Sequence, residues 1–108
     1  MYINIPLNRE YKELFTGVRT RTFWGKKMLA GLVDLDANAI LPSHSHPHEQ
    51  ISYLVEGEIQ LTTAGETKTV HKGEIIIIPG GIEHQVIVGP APAIILDVFQ
   101  PVREDLKY

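Results

Sequence analysis

Between Ser43 and Gln50 the chain reads SHSHPHEQ, with three histidines, a glutamate and a glutamine in eight residues. Packing alone gives no reason to crowd so many donor atoms together. Imidazole nitrogen is a ligand for divalent Mn, Fe, Co, Ni, Cu or Zn, and a site that keeps coordination positions open does Lewis-acid chemistry. In an extended strand His44, His46, His48 and Gln50 would share one face, and Glu49 would point the other way. Pro47 interrupts that alternation. Parity therefore sets aside Glu49, the only carboxylate of the group, and His48 is read as a rim residue or a support for a ligand. His84 follows a Pro79-Gly80-Gly81 turn, which sends the chain back so that this histidine can face the first cluster. His71, beside Lys72, reads as solvated.

The stretch ILDVFQPVREDL carries a second set. Ile95, Asp97 and Phe99 share a strand face, so Asp97 sits in an apolar run where a lone carboxylate is costly. Such an acid is hydrogen-bonded or functional. Arg103, after Pro101, can fold back over a cavity mouth, and its planar fork suits a carboxylate. The plainer alternative is a structural Asp97–Arg103 ion pair with Phe99 as core.

These side chains need rigid elements behind them, and the chain offers short strands. Val18 to Phe23 alternates with Arg19 and Arg21, Met28 to Leu35 and Ile51 to Val55 are apolar segments, and Glu58 to Thr63 follows Gly57. TTAGETKT places Ala64-Gly65 at a hairpin tip. Ile75 to Ile78, four isoleucines before Pro79, is too short for a helix and predicts a buried strand. Gln85 to Val88 and Ala93 to Phe99 complete seven or eight strands punctuated by Gly and Pro, the pattern of an all-β sandwich or small barrel. The one helical signal runs from Asn8 to Phe15, with Asn8 as N-cap.

A length of 108 residues suits one domain, and an apolar content of 44% supports a core. The net charge of −3, from 10 basic and 13 acidic residues mixed along the chain, offers no basic surface for nucleic acid or an anionic membrane. The absence of cysteine excludes disulfide and thiolate chemistry. The N-terminus MYINIPLNREYKEL has no secretory pattern, and no apolar stretch approaches the roughly 20 residues of a membrane helix. The chain reads as soluble and cytoplasmic.

The two histidine segments resemble the motifs of the cupins, H-x-H-x3/4-E-x6-G and G-x5-P-x-G-x2-H-x3-N. His44, His46, Gln50 and Gly57 match the first; Gly73, Pro79, Gly81 and His84 match the second. Asn38 stands in place of the usual leading Gly, Gln50 of the Glu, and Val88 of the closing Asn. The resemblance implies a cupin double-stranded β-helix, a jelly-roll barrel spanning 1–108 with its core at about 18–100 and a short N-terminal arm. It implies a divalent transition metal held by His44, His46, Gln50 and His84. It also implies a homodimer formed by pairing an early strand, here the one bearing Arg19, Arg21 and Trp24.

Gln50 changes the chemistry of such a site. Three imidazoles and an amide leave the ion's charge unbalanced, which favours an anionic oxygen ligand. A carboxylate that some cupin dioxygenases use as a base is missing, which tilts the reading away from oxygenase chemistry; simple drift between isosteric side chains is the alternative. The tail Asp97-Val98-Phe99-Gln100-Pro101-Val102-Arg103-Glu104-Asp105 resembles a subgroup of small cupins that opens 4,5-unsaturated uronates to linear keto acids. That likeness implies Asp97 as acid/base, Arg103 as carboxylate clamp, Phe99 as ring platform and a small anionic sugar as substrate. The alternatives are a metal-dependent dioxygenase and a non-catalytic sugar-binding cupin.

Overall fold

Alternation of apolar and polar residues at period two decides most of the architecture. The computed structural model describes residues 1–108. Its strands are Lys12–Phe15 (β1), Val18–Trp24 (β2), Leu29–Leu35 (β3), Ile40–His44 (β4), Glu49–Glu56 (β5), Glu58–Thr63 (β6), Glu66–His71 (β7), Ile75–Ile78 (β8), His84–Val88 (β9) and Ala93–Gln100 (β10). They form a six-stranded sheet, β1-β2-β3-β10-β5-β8, and a four-stranded sheet, β4-β9-β6-β7, with every pair antiparallel. The fold is the all-β jelly roll of the cupins. β3 shows the alternation most cleanly. Leu29, Gly31, Val33 and Leu35 face inward and are buried, while the residues between them are half-exposed.

Val18, Leu35, Leu54, Ile59, Val88 and Ala93 pack at one end of the roll. The opposite end is left to polar side chains. A smaller cluster of Leu29, Phe99 and Leu106 seats the C-terminal tail against that end. Thr22 Oγ1 donates to the Leu106 carbonyl at 2.6 Å, and the Arg9 guanidinium donates to the Tyr108 carbonyl at 2.7 Å. Gly57, at φ +90°, turns β5 into β6 where a Cβ would stand 2.7 Å from the Pro92 carbonyl oxygen. Asn38 occupies its position at φ 62°, a conformation Asn tolerates better than most side chains, which accounts for its standing in place of Gly. Ala64 and Gly65 both have positive φ, as a two-residue hairpin requires.

Three expectations change. The helical turn is Ile5–Asn8, capped by the Asn4 side chain, and Lys12–Phe15 pairs with β2 as a strand. A proline in the first turn favours the earlier start. β4 and β7 are further strands that the local pattern did not mark. Ile75–Ile78 is not buried: it is an edge strand, with Ile75 61% and Ile77 66% exposed while Ile78 turns inward. β2 pairs with β3 along its whole length and with β1 only over Val18–Thr20, so its outer edge at Arg21–Trp24 has no strand partner.

Candidate metal centre and its cavity

A cavity of about 350 Å³ opens at the polar end of the roll, lined there by His44, Gln50, Ser52, His84, Asp97 and Arg103. Its ligand-type residues do not come from one strand. His44 ends β4, His46 lies in the following loop, Gln50 is in β5 and His84 starts β9. The single-face alternation across SHSHPHEQ therefore does not hold, because the chain leaves extended pairing between His44 and Glu49. Glu49 is exposed, as parity indicated.

One nitrogen from each of His44, His46 and His84 lies within 4.8 Å of the others. Each imidazole also has Nδ1 against a backbone carbonyl: Pro42 at 2.9 Å, His48 at 3.1 Å and Ile82 at 2.9 Å. A carbonyl only accepts, so Nδ1 carries the proton and the Nε2 lone pairs remain for the cluster. Burial lowers the pKa of His46, with the Arg103 charge adding to it, and burial likewise lowers that of His84. Both are therefore neutral at pH 7, the form that ligates.

Two details test whether these residues suit a cation. His84 Nε2 is buried without a partner. His46 Nε2 stands 3.0 Å from Gln50 Oε1. With Nδ1 protonated that contact sets a lone pair against a carbonyl oxygen, unless a positive charge lies between them. Adjacent ligands about 2.1 Å from a first-row metal have about that separation. The residues fit a divalent ion, and His44, His46, His84 and Gln50 would hold it. His48 supplies the carbonyl that orients His46; its own ring lies 5.6 Å from that of His46 but does not join the three converging nitrogens.

Asp97 lies beside this group. Ile95, Asp97 and Phe99 all line the cavity, as their shared face implied. Burial pushes the Asp97 carboxyl above its usual range, against the opposing effect of hydrogen bonds from Ser52 and Gln50 and of the Arg103 charge. Ser52 donates to Asp97 Oδ1 at 2.5 Å. Ser52 is 3% exposed and was not singled out in the sequence. Its position two residues past Gln50, on the same inward face, is the signal that could have found it. The Asp97–Arg103 ion pair offered as the plainer alternative does not form. Arg103 instead pairs with Asp105 at 2.7 Å and lies 4.9 Å above the Phe99 ring. Phe99 in turn meets His46 edge-on at 5.5 Å.

The sequence profile of the cupin domain matches residues 31–99. The chain belongs to the cupin family. A cupin described as RmlC-like, from Shewanella frigidimarina NCIMB 400, superposes with a TM-score of 0.90 at 26% identity, covering 99% of this chain and 96% of that one. The structure of KdgF from Halomonas sp. superposes with a TM-score of 0.85 at 23% identity over 91% of each chain. The pectin degradation protein KdgF of Dickeya dadantii (strain 3937) is 25% identical over 97 residues, 88% of each chain. A germin-like protein (subfamily 2 member 2) of Arabidopsis thaliana is 35% identical over 74 residues. The chain spans about a third of that plant cupin's length, 34%. Within the family this chain resembles the KdgF subgroup of small cupins. No helix is long and apolar enough to cross a membrane.

Proposed function

We propose that this cupin opens the ring of a 4,5-unsaturated uronate, giving a linear keto acid. The observation that carries the reading is one carboxyl, Asp97, kept protonatable by burial and set beside the histidine cluster, in a cavity that also presents Arg103 and Phe99. The likeness to the pectin degradation protein KdgF, at 25% identity over most of both chains, supports the substrate class.

The substrate is a cyclic hemiacetal whose ring oxygen also belongs to an enol ether. Asp97 takes the proton of the hemiacetal hydroxyl as the bond between the anomeric carbon and the ring oxygen breaks. The anomeric carbon becomes an aldehyde, and the ring oxygen leaves as an enolate. Asp97 returns the proton to the alkene carbon, which yields the ketone, so the reaction is a redox-neutral isomerisation. Arg103 binds the sugar carboxylate with the guanidinium hydrogens that its pair with Asp105 leaves free, and Phe99 packs on the ring. A divalent ion bound at the histidines supplies electrostatic stabilisation of the developing oxyanion.

The test mixes the metal-loaded protein with an unsaturated monouronate and follows loss of the alkene chromophore. Loss that requires the metal, without oxygen uptake, is expected. Oxygen uptake would favour dioxygenase chemistry, and an unchanged bound sugar would favour a binding module.

The homodimer also has a candidate surface, different from the strand pairing first expected. The outer face of the six-stranded sheet aligns Leu96, Tyr53 and Ile75 in one cross-strand row and Val98, Ile51 and Ile77 in the next. All are exposed or half-exposed. At the rim, Arg21 and Asp34 stand 4.0 Å apart within the chain. Such a face suits a second, identical copy better than a charged partner. Light scattering should give twice the chain mass for the wild type and the chain mass for Ile77→Asp; a monomeric wild type would exclude the homodimer.

A further inference from the structure

The amide at position 50 has two ends, and the structure gives each a separate task. Gln50 Oε1 faces His46 Nε2 at 3.0 Å, while Gln50 Nε2 lies 2.9 Å from Ser52 Oγ and 3.3 Å from Asp97 Oδ1. A carboxylate only accepts, so the amide nitrogen belongs on the Asp97 side. Ser52 has one hydrogen, and the 2.5 Å contact shows that it is given to Asp97. Its oxygen is then free to accept from Gln50. The resulting chain runs from the histidine cluster through Gln50 to Ser52 and Asp97. Gln50 is 7% exposed and Ser52 3%, so water does not substitute for a missing partner.

A flipped amide would set its oxygen against the Asp97 carboxylate. A glutamate at the same place would do so with either oxygen, and Ser52 could then donate to only one of the two acids. We propose that Ser52 and Asp97 act as positioning residues that lock the Gln50 carboxamide oxygen toward the three-histidine cluster. We further propose that this link is what makes position 50 a glutamine. Gln50 and Asp97 are therefore coupled: an acid at position 97 excludes a second acid at position 50. Drift between isosteres at position 50 is then not free, because a glutamate there, with Asp97 kept, leaves two acids to share one Ser52 hydrogen.

This inference rests on the metal part of the proposed function and not on the substrate. Its test therefore uses no substrate. The protein is titrated with Co²⁺, and the visible ligand-field absorption of the bound ion together with chelator competition gives the dissociation constant and the ligand environment. Ser52→Ala should weaken Co²⁺ binding by about 10–100-fold and shift the absorption band. The sharper arm is a cycle of Gln50→Glu, Asp97→Asn and the double variant. The double variant places the acid at the metal and the amide behind it, which restores every donor–acceptor pair in mirror order. The effect of Gln50→Glu on affinity should be at least about tenfold more favourable in the Asp97→Asn background than in the wild type. Equal effects in the two backgrounds would overturn the proposal, as would wild-type affinity in Ser52→Ala. If Ser52→Ala does not fold, the cycle decides alone. Preserved coupling in a protein that leaves uronates unchanged would remove the isomerase reading and leave this one intact.

Discussion

Asp97→Asn should cut uronate turnover by about 10²–10⁴-fold, the usual contribution of a positioned acid–base group, while making the metal-free protein more stable. The two effects share a cause. Burial raises the folded-state pKa of Asp97 above its unfolded value. A carboxyl with a raised folded pKa contributes its stability below the unfolded pKa, near 4, where it is protonated in both states. That contribution is lost as pH rises through the folded pKa. The wild type is thus penalised at neutral pH for holding a charge in a buried position. The substituted amide would carry no such charge and could still accept from Ser52 and Gln50 through its oxygen.

The melting temperature of the metal-free variant should accordingly match the wild type near pH 4 and exceed it at pH 8. A bound divalent cation favours the carboxylate, so the gain should shrink when metal is added. Thermal scans at both pH values, with and without metal, check the sign. A variant less stable than the wild type at pH 8 without metal would show that Asp97 is held there as a structural anion.

Gly80→Ala should empty the metal centre. An ideal Cβ at Gly80 would stand 2.3 Å from the Pro47 carbonyl oxygen and 3.1 Å from the Pro47 carbonyl carbon. Both are backbone atoms, so no side chain can swing away. Here the turn between β8 and β9 backs onto the loop carrying His46. The Gly81 amide donates to the His46 carbonyl across the same junction, at 2.8 Å. Relieving the clash needs a displacement of roughly 1 Å, which would separate His46 from His84 and strain both carbonyl contacts that orient their rings. Metal retained after dialysis should fall at least tenfold, and turnover with it. Gly81→Ala is the informative contrast. Gly81 has φ +82° but open space around its Cβ, so Ala there costs about 1–2 kcal/mol of backbone strain and leaves the ligands in place. Elemental analysis of both variants separates the effects; wild-type metal content in Gly80→Ala would refute the packing argument.

The glycine pair shows where local reading stops. Gly81 is the motif position, and its positive φ is a local property of the turn that any sequence comparison can register. The neighbouring Gly80 is demanded by a backbone that is distant in sequence, and nothing near it announces that contact. The same division runs through the strands. Period-two alternation located β2, β3, β5, β6, β9 and β10 to within a residue or two, because facing the core or the solvent is decided residue by residue. It did not mark β1, β4 or β7. It also placed Ile75 and Ile77 in a core, because four isoleucines look alike whether a strand lies inside a sheet or at its edge.

The site divides in the same way. The sequence by itself determined the ligand types, their spacing, the neutral amide at position 50 and the shared face of Asp97 and Phe99, since each is a matter of residue identity or local geometry. Tertiary structure decided that His44, His46 and His84 converge, that Arg103 pairs with Asp105 and leaves Asp97 unpaired, and that Ser52 joins Gln50 to Asp97. Those outcomes depend on the register of β5 against β10 and of β4 against β9, which sets distances of a few ångströms between residues as far as 47 positions apart. Short-range patterns carry no such distances; cooperative packing of the two sheets does.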